Sequence, residues 1–362
     1  MPSLTRRRLA IVASLSGLAL ALAVGATAAV PGRGLARAQA MVAQLTKHPT
    51  SVGVTKPVGK PIPTGKRVVV FNCGIPQCTL IANSVTEAGK TLGWNVQSVN
   101  AGLTPESINK AWTSVAANPP DGIVATGYPR VLFAKALAKL NAAKVPVAEC
   151  CVANEKIGGG IRLVANDPQQ GAMMADWVVA DTKGKANVLF VDSTDFPIIH
   201  GFKLTFTSEL RRTCPSCKLS SINVPTTSFG TTLPNQLVGY LRSHRDVNYL
   251  ALGNDGMATG LPQALRAARL DVPFIGDAAE VVNLSYVKNG QERATIQYPL
   301  REMSWRMIDA LARIYTGQSV KPDNAPMPFL LLTKDNIQHE DISNYVVVVK
   351  DYKQQYRKLW GK

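Results

Sequence analysis

Histidine is scarce in this chain, and the signatures of several large enzyme classes are missing. None of the four histidines, His48, His200, His244 and His339, stands in H-E-x-x-H or in another metal-binding spacing. There is no G-x-G-x-x-G after the first predicted strand, no Walker A lysine motif and no G-x-S-x-G elbow. We therefore expect no catalytic residue, no metal and no cofactor, and we predict that the protein is not an enzyme.

Long apolar runs are absent except near the N-terminus. Three arginines at 6–8 precede an uncharged apolar run at 9–24, and A-x-A patterns follow at 26–28 and 38–40. This order is typical of an export signal, and the run is shorter than the ~20 residues that span a bilayer. We predict an export signal over residues 1–40, for the Sec or the twin-arginine route. An uncleaved anchor is the alternative.

The charge balance is basic. The formal net charge of +16 falls to +11 without the five arginines of residues 1–40, and aromatic residues make up 6% of the chain. The remaining basic residues are scattered, with no stripe interleaved with aromatics, so they indicate a solubilising surface or attraction to anionic ligands or envelope polymers. Together with export, this pattern argues against nucleic acid as a partner.

Six cysteines follow the signal, an even number that favours disulfides in an exported protein. The first, Cys73, lies far from the signal, so we expect no lipid-attachment cysteine. Cys73 and Cys78 flank a short loop and are disulfide candidates. Cys214 and Cys217 form a C-x-x-C, read as a loop disulfide, a redox pair or half of a zinc site. Cys150 and Cys151 are either buried small residues or partners of other cysteines, and the pairing stays open.

Strand and helix patterns alternate from Arg67 onward. The first series predicts strands at 68–71, 95–99, 122–125 and 147–150, and helices at 80–92, 105–117 and 131–142. A second series predicts strands at 164–165, 186–191, 219–224, 249–252, 274–275, 294–297, 330–332 and 345–349, and helices at 168–182, 199–210, 232–243, 280–289, 303–315 and 352–359. Such alternation requires parallel sheets, and about 300 residues exceed one core, so we predict two doubly wound α/β lobes. Residues 41–65 read as a linker or surface arm.

The most informative segment is YLALGNDGMATGLPQAL, residues 249–265. A buried strand ends at Gly253, and Asn254 and Asp255 follow at its carboxyl end, with Asp255 as a predicted helix N-cap. Open parallel sheets bind ligands at this edge. Two such lobes fit a clamshell that closes on a small solute.

Three segments carry a family resemblance: GNDGMATGLPQAL at 253–265, VANDPQQGAMMADWV at 164–178 and ERATIQYP at 292–299. Together with the order of elements, they resemble the ribose-binding type of periplasmic binding proteins, the soluble receptors of ABC importers. The resemblance covers about residues 66–349 and implies the type I periplasmic binding fold. The same fold serves LacI-type repressors, but here a signal replaces the DNA-binding helices.

The resemblance implies a hinge of three crossings and a division into lobes. The N-terminal lobe takes residues 66–165 plus 298–328, and the C-terminal lobe 166–297 plus 329–362. Asn166, Asp255 and Pro299 fall at the hinge, and a third crossing comes near 327–330. The implied partners are a small-molecule ligand and a membrane permease that receives it from a monomer. A receptor that presents ligand occupancy to a membrane sensor is the alternative.

The ligand residues of the family transfer only in part. Asn254 matches an asparagine that binds a sugar hydroxyl, and Asp277 falls near a ligand aspartate. Cys151 and Val152 stand where the family has an Asp-Arg pair. Phe196 stands where it has an arginine, and Tyr298 where it has a glutamine. With these positions, the predicted ligand-binding set is Asn72, Ile75, Gln77, Tyr128, Cys151, Phe196, Asn254, Asp277 and Tyr298.

These departures bear on the ligand. A sugar pocket must pair every buried hydroxyl, and this chain has lost charged groups that do so. We therefore hypothesise a less polar ligand, aromatic, alicyclic or steroid-like, with a few polar handles. The alternative is a sugar held by Asp192, Asp195 or Glu149.

Overall fold

The computed structural model describes residues 31–151, 161–163 and 168–362, and it contains two mainly parallel sheets in two lobes. This confirms the predicted α/β fold class. Most of the predicted export signal, the predicted strand at 164–165 and the predicted hinge residue Asn166 lie outside the described residues. The described part begins with a helix, α1, at Pro31–Leu45.

The N-terminal lobe is built on a five-stranded parallel sheet in the order β2-β1-β3-β4-β5. In chain order its elements are β1 Arg67–Asn72, α2 Pro76–Thr91, β2 Asn95–Asn100, α3 Pro105–Ala117, β3 Gly122–Thr126, α4 Ala134–Ala142, β4 Val147–Cys150 and β5 Ile161–Leu163. A 3-10 turn at Arg130–Phe133 precedes α4.

The sequence of β1 shows why this sheet lies between two helix layers. Val68 and Val70 pack into one core cluster, and Val69 and Phe71 pack into the other. Alternate residues of a strand point to opposite faces, so a continuous apolar run serves a sheet that is covered on both sides. On the second face the ring of Trp112 stacks on Phe71 at 4.3 Å between centroids.

The C-terminal lobe is built on a six-stranded sheet in the order β11-β10-β9-β8-β6-β7, in which β11 is antiparallel to β10. Its elements are α5 Gln169–Asp181, β6 Asn187–Asp192, α6 Pro197–Thr213, β7 Lys218–Asn223, α7 Leu233–Ser243, β8 Tyr249–Leu252, α8 Leu261–Ala267, β9 Phe274–Asp277, α9 Val281–Lys288 and β10 Ala294–Gln297. The chain then forms α10 Leu300–Tyr315, β11 Leu330–Thr333 and α11 Tyr352–Trp360.

The chain passes between the lobes where the resemblance implies crossings. Strand β5 belongs to the first sheet, and the next described helix, α5, belongs to the C-terminal lobe. A second passage follows β10, where Pro299 is the N-cap of α10 and α10 packs on α2 of the N-terminal lobe. A third leads from α10 back to β11 in the second sheet.

Two terminal segments add further passages between the lobes. Helix α1 packs on α5 and α6 of the C-terminal lobe, and residues 46–66 then lead to β1 in the N-terminal lobe. Helix α11 packs on α10, with the rings of Trp360 and Trp305 stacked at 5.2 Å. Helix α1 therefore includes residues on both sides of position 40, and α11 lies against α10. Both segments lie at or beyond the ends of the region that carries the resemblance.

A buried ion network holds the arm 46–66 on α10. The Arg313 guanidinium lies 2.7 Å from Asp309 Oδ2 and 3.2 Å from Asp323 Oδ2, and it also donates to the carbonyl of Lys56. Arg306 donates to the carbonyl of Val52. Because these charges are fully buried, removing one partner would leave another uncompensated.

The strand predicted at 345–349 is wrong. The segment is apolar and β-branched, but its backbone bonds to side chains and not to a neighbouring strand. The amides of Val348 and Val349 donate to Glu302 Oε1 at 2.9 and 2.8 Å, and a ring nitrogen of His48 bonds to the Val348 carbonyl at 2.9 Å.

Candidate functional site

A cavity of about 100 Å³ lies between the lobes, at the carboxyl ends of strands from both sheets. The N-terminal lobe contributes Ile75, Gln77, Cys78, Ile81, Thr126, Gly127 and Cys151. The C-terminal lobe contributes Phe196, Ile198, Ile199, Phe202, Asn254, Asp277 and Ala278. Tyr298 and Leu300 close it at the second crossing. Its size is of the order of a cavity that admits benzene, ~150 Å³.

Seven of the nine predicted ligand residues meet in this cavity. They are Ile75, Gln77, Cys151, Phe196, Asn254, Asp277 and Tyr298. The structure does not bring the other two to its lining. Asn72 Oδ1 accepts a hydrogen bond from the Gly74 amide at 2.8 Å, and Tyr128 lies in the N-terminal core, where its hydroxyl donates to the Gly102 carbonyl at 3.2 Å.

Asn254 is fixed by the turn that follows β8. Its Oδ1 accepts from the Gly256 amide at 2.8 Å, so Asn254 is the N-cap of the 3-10 helix Asp255–Ala258. The prediction that Asp255 caps this helix is wrong. The Asp255 side chain turns into the C-terminal lobe, where its carboxylate accepts from Thr295 Oγ1 at 2.6 Å. A Cβ at Gly276 would lie 1.4 Å from Asp255 Oδ1, so glycine is required there.

Asp277 and Gln77 are buried polar residues of the cavity wall, 2% and 6% exposed. Burial raises the pKa of Asp277 well above its usual value, and the charge of Asp255 raises it further. Gln77 Nε2 donates to the Ala278 carbonyl at 3.3 Å, which ties α2 to the loop after β9 across the cleft. Asp277 Oδ1 and Gln77 Oε1 have no hydrogen-bond partner within the described part of the chain.

Disulfides form part of the cavity wall. Cys73 pairs with Cys78, and the adjacent Cys150 and Cys151 pair with each other. Cys151 has φ 68° and Ala278 has φ 61°, in the left-handed region that residues other than glycine seldom adopt. Such conformations cluster at binding and catalytic sites, which supports a functional role for this wall. The third pair, Cys214–Cys217, lies at the end of α6, outside the cavity lining.

The three carboxylates that could have held a sugar, Asp192, Asp195 and Glu149, are paired with other protein groups. Asp192 Oδ2 accepts from His200 at 2.8 Å and from Lys203 at 3.1 Å, and Glu149 lies 3.0 Å from Arg130. Asp195 Oδ2 accepts from the backbone amide and hydroxyl of Thr226. None of these three carboxylates belongs to the described cavity lining.

Sequence reasoning missed much of the apolar lining. Ile198, Ile199 and Phe202 extend from Phe196 along the first turns of α6. Their helical spacing after a strand end could have identified them. Thr126 and Gly127 also line the cavity, and their position at the carboxyl end of β3 could have identified them.

Residues 67–319 match the sequence pattern of the periplasmic binding protein domain. The chain belongs to that family. It is therefore a binding protein of an extracytoplasmic family and not an enzyme. No curated protein sequence matches the chain. Among the described residues, no group of three or more metal-ligating side chains is close enough to hold a metal ion, and no helix is long and apolar enough to cross a membrane.

Solved structures share the fold of this periplasmic binding protein at low sequence identity. The glucose-galactose binding protein GanP of Geobacillus stearothermophilus is 17% identical, with a TM-score of 0.68 over 75% of this chain and 99% of that one. The Caulobacter myo-inositol binding protein is 21% identical, with a TM-score of 0.66 over 77% and 97%. A periplasmic ribose ABC transporter protein of Conexibacter woesei is 18% identical, with a TM-score of 0.66 over 77% and 95%.

Proposed function

We propose that this protein is an exported, monomeric solute-binding protein of an ABC importer. It closes its two lobes over a small organic ligand and delivers the ligand to a membrane permease. The single observation that best supports this function is the cavity enclosed by the carboxyl ends of strands from both sheets. A ligand that contacts both lobes favours the closed form over the open form by the difference in its contacts.

The lining supports a ligand that is less polar than a free sugar. Isoleucine, leucine and phenylalanine side chains make up much of the wall, and no lysine, arginine or histidine stands among its described residues. The glucose-galactose and myo-inositol binding proteins share this fold, and a sugar is therefore the competing ligand class. A sugar ring would bury hydroxyl groups that this lining leaves unpaired, at ~1–3 kcal/mol each.

The ligand contacts we propose come from both walls. Asn254, Asp277 and Gln77 supply the polar contacts, and Phe196 and Tyr298 supply aromatic surface. Asn254 lies just after β8 and Asp277 is the last residue of the neighbouring strand β9, and Gln77 faces them from the other lobe.

The test combines binding with uptake. The purified protein is titrated by calorimetry with monosaccharides and with small aromatic and alicyclic compounds, and uptake of the best ligand is measured in the host with and without the gene. We expect a ligand of the second group to bind, and its uptake to disappear with the gene. Loss of a transcriptional response with unchanged uptake would instead identify a sensor.

A further inference from the structure

Two residues of the cavity wall carry buried hydrogen-bond acceptors that have no donors among the described residues. Asp277 Oδ1 and Gln77 Oε1 are buried and have no hydrogen-bond partner within the described residues, although both residues line the cavity. The amide of Gln77 is oriented by its donation to the Ala278 carbonyl, which leaves Oε1 as its unused group. A buried acceptor without a donor is unfavourable, so both atoms favour a ligand that brings N–H or O–H groups.

Several carboxyl groups lie near Asp277, and the described cavity lining has no basic side chain to balance them. Asp255 acts on Asp277 through its charge, and Glu280 and Glu292 act on Asp255. The neighbouring basic group, Arg306, is committed to the carbonyls of Val52 and Ala325. The described lining itself contains no lysine, arginine or histidine.

Aromatic rings in the cavity wall would also attract a positively charged ligand. Phe196, Phe202 and Tyr298 line the same cavity. The face of an aromatic ring attracts a cation, and the attraction grows when both are removed from water. A hydroxylated ring would bring many acceptors into a site that offers few donors, whereas an ammonium group brings donors alone.

We infer that the cavity takes a small organic cation, a protonated amine on an aromatic or alicyclic body. The ammonium group donates to Asp277 Oδ1 and Gln77 Oε1, and the apolar body packs against the rings. This inference rests on the proposed solute-binding function and names the chemical class of its ligand.

The test compares isosteres. Benzylamine and benzyl alcohol, with D-ribose as the sugar probe, are titrated against the wild-type protein by calorimetry and by thermal shift at pH 7.5. We expect benzylamine to bind about 10- to 100-fold more tightly than benzyl alcohol, because a charge-assisted hydrogen bond is stronger than a neutral one. Asp277→Asn should remove this preference. Asp195→Asn is the matched control, because it removes a carboxylate near the cleft that does not line the cavity.

The outcomes separate the two proposals. If benzyl alcohol or D-ribose binds as tightly as benzylamine, or if Asp277→Asn keeps the preference, the cation inference is overturned while solute binding stands. If none of the three probes shifts the melting temperature, the cation inference is overturned, and the wider series of ligands in the uptake test decides whether the protein binds a solute. Should Asp277→Asn fail to fold, the wild-type comparison of amine with alcohol decides alone.

Discussion

Gln77 and Ala278 join the two lobes across the cleft. The side-chain nitrogen of Gln77, on α2, donates to the backbone oxygen of Ala278, which follows β9, at 3.3 Å. Both residues are less than a tenth exposed, and a hydrogen bond shielded from water is electrostatically stronger. This hydrogen bond therefore both holds the lobes together and fixes two residues of the cavity wall.

Replacing Gln77 should open the cleft. Gln77→Ala removes the cross-cleft bond, typically worth ~0.5–1.5 kcal/mol, so the open form should gain up to about ten-fold in population relative to the closed form. Spin labels placed one on each lobe would report the distance distribution. The control is Gln97→Ala, an exposed position on the edge strand β2. An unchanged distance distribution in Gln77→Ala would contradict this role.

Helix α1 should be an integral part of the C-terminal lobe. A Cβ at Gly34 would lie 2.0 Å from the Thr213 carbonyl oxygen, whereas one at Gly32 would meet nothing within 4 Å. Gly34→Ala should therefore lower the free energy of unfolding by ~1–3 kcal/mol, because the helix must move away from α6. Gly32→Ala, in the same helix, should be neutral or raise it by up to ~1 kcal/mol. Urea unfolding of both variants checks this, and equal effects would show that α1 does not dock.

The docking of α1 also bears on processing. A cut after Ala40 would remove most of α1, including the fully buried Ala38, whereas a cut after Ala28 would leave the helix whole. We therefore expect export to end with cleavage at the first A-x-A pattern. The intact mass of the exported protein checks this directly. A mature chain that starts at Met41 would contradict the expectation.

Stability should fall between mildly acidic and neutral pH because of Asp255. Burial raises the pKa of this carboxyl to about 7, so the folded state keeps its proton where an unfolded aspartate, with a pKa of ~3.9, has lost it. The contribution is present at low pH and is lost as pH rises from about 4 to about 7.

Asp255→Asn isolates this effect. The free energy of unfolding of the wild type, relative to Asp255→Asn, should be greater at pH 5 than at pH 8. Asp271→Asn, at an exposed position, is the matched control. A difference that is the same at both pH values, or that grows toward pH 8, would refute the raised pKa.

Sequence predicted the fold where local pattern and tertiary environment agree. Runs such as 68–71 and 249–252 are β-branched or apolar throughout, and they become central strands because helices cover both faces of a parallel sheet. The run 346–349 has the same composition but is no strand, because Glu302 and His48 occupy its backbone groups. Such partners, 46 and 300 residues away in sequence, are invisible to a local pattern.

The candidate site was predictable where residues lie at or just after the carboxyl ends of strands. Asn254 was predicted for that reason, and Asp277, the last residue of β9, was predicted from the family resemblance. Asn72 also ends a strand, but its side chain accepts from the Gly74 amide. Phe202 lies in the second turn of a helix, so only its helical spacing from Ile198 and Ile199 connects it with the strand end.

A crystal structure with the tightest-binding compound from the titrations tests most directly whether the two lobes enclose a ligand. We expect the compound to be enclosed between the lobes, in contact with Asn254 and Asp277 on one side and Gln77 on the other. A compound bound outside the cleft, or held by one lobe alone while the lobes stay apart, would contradict it.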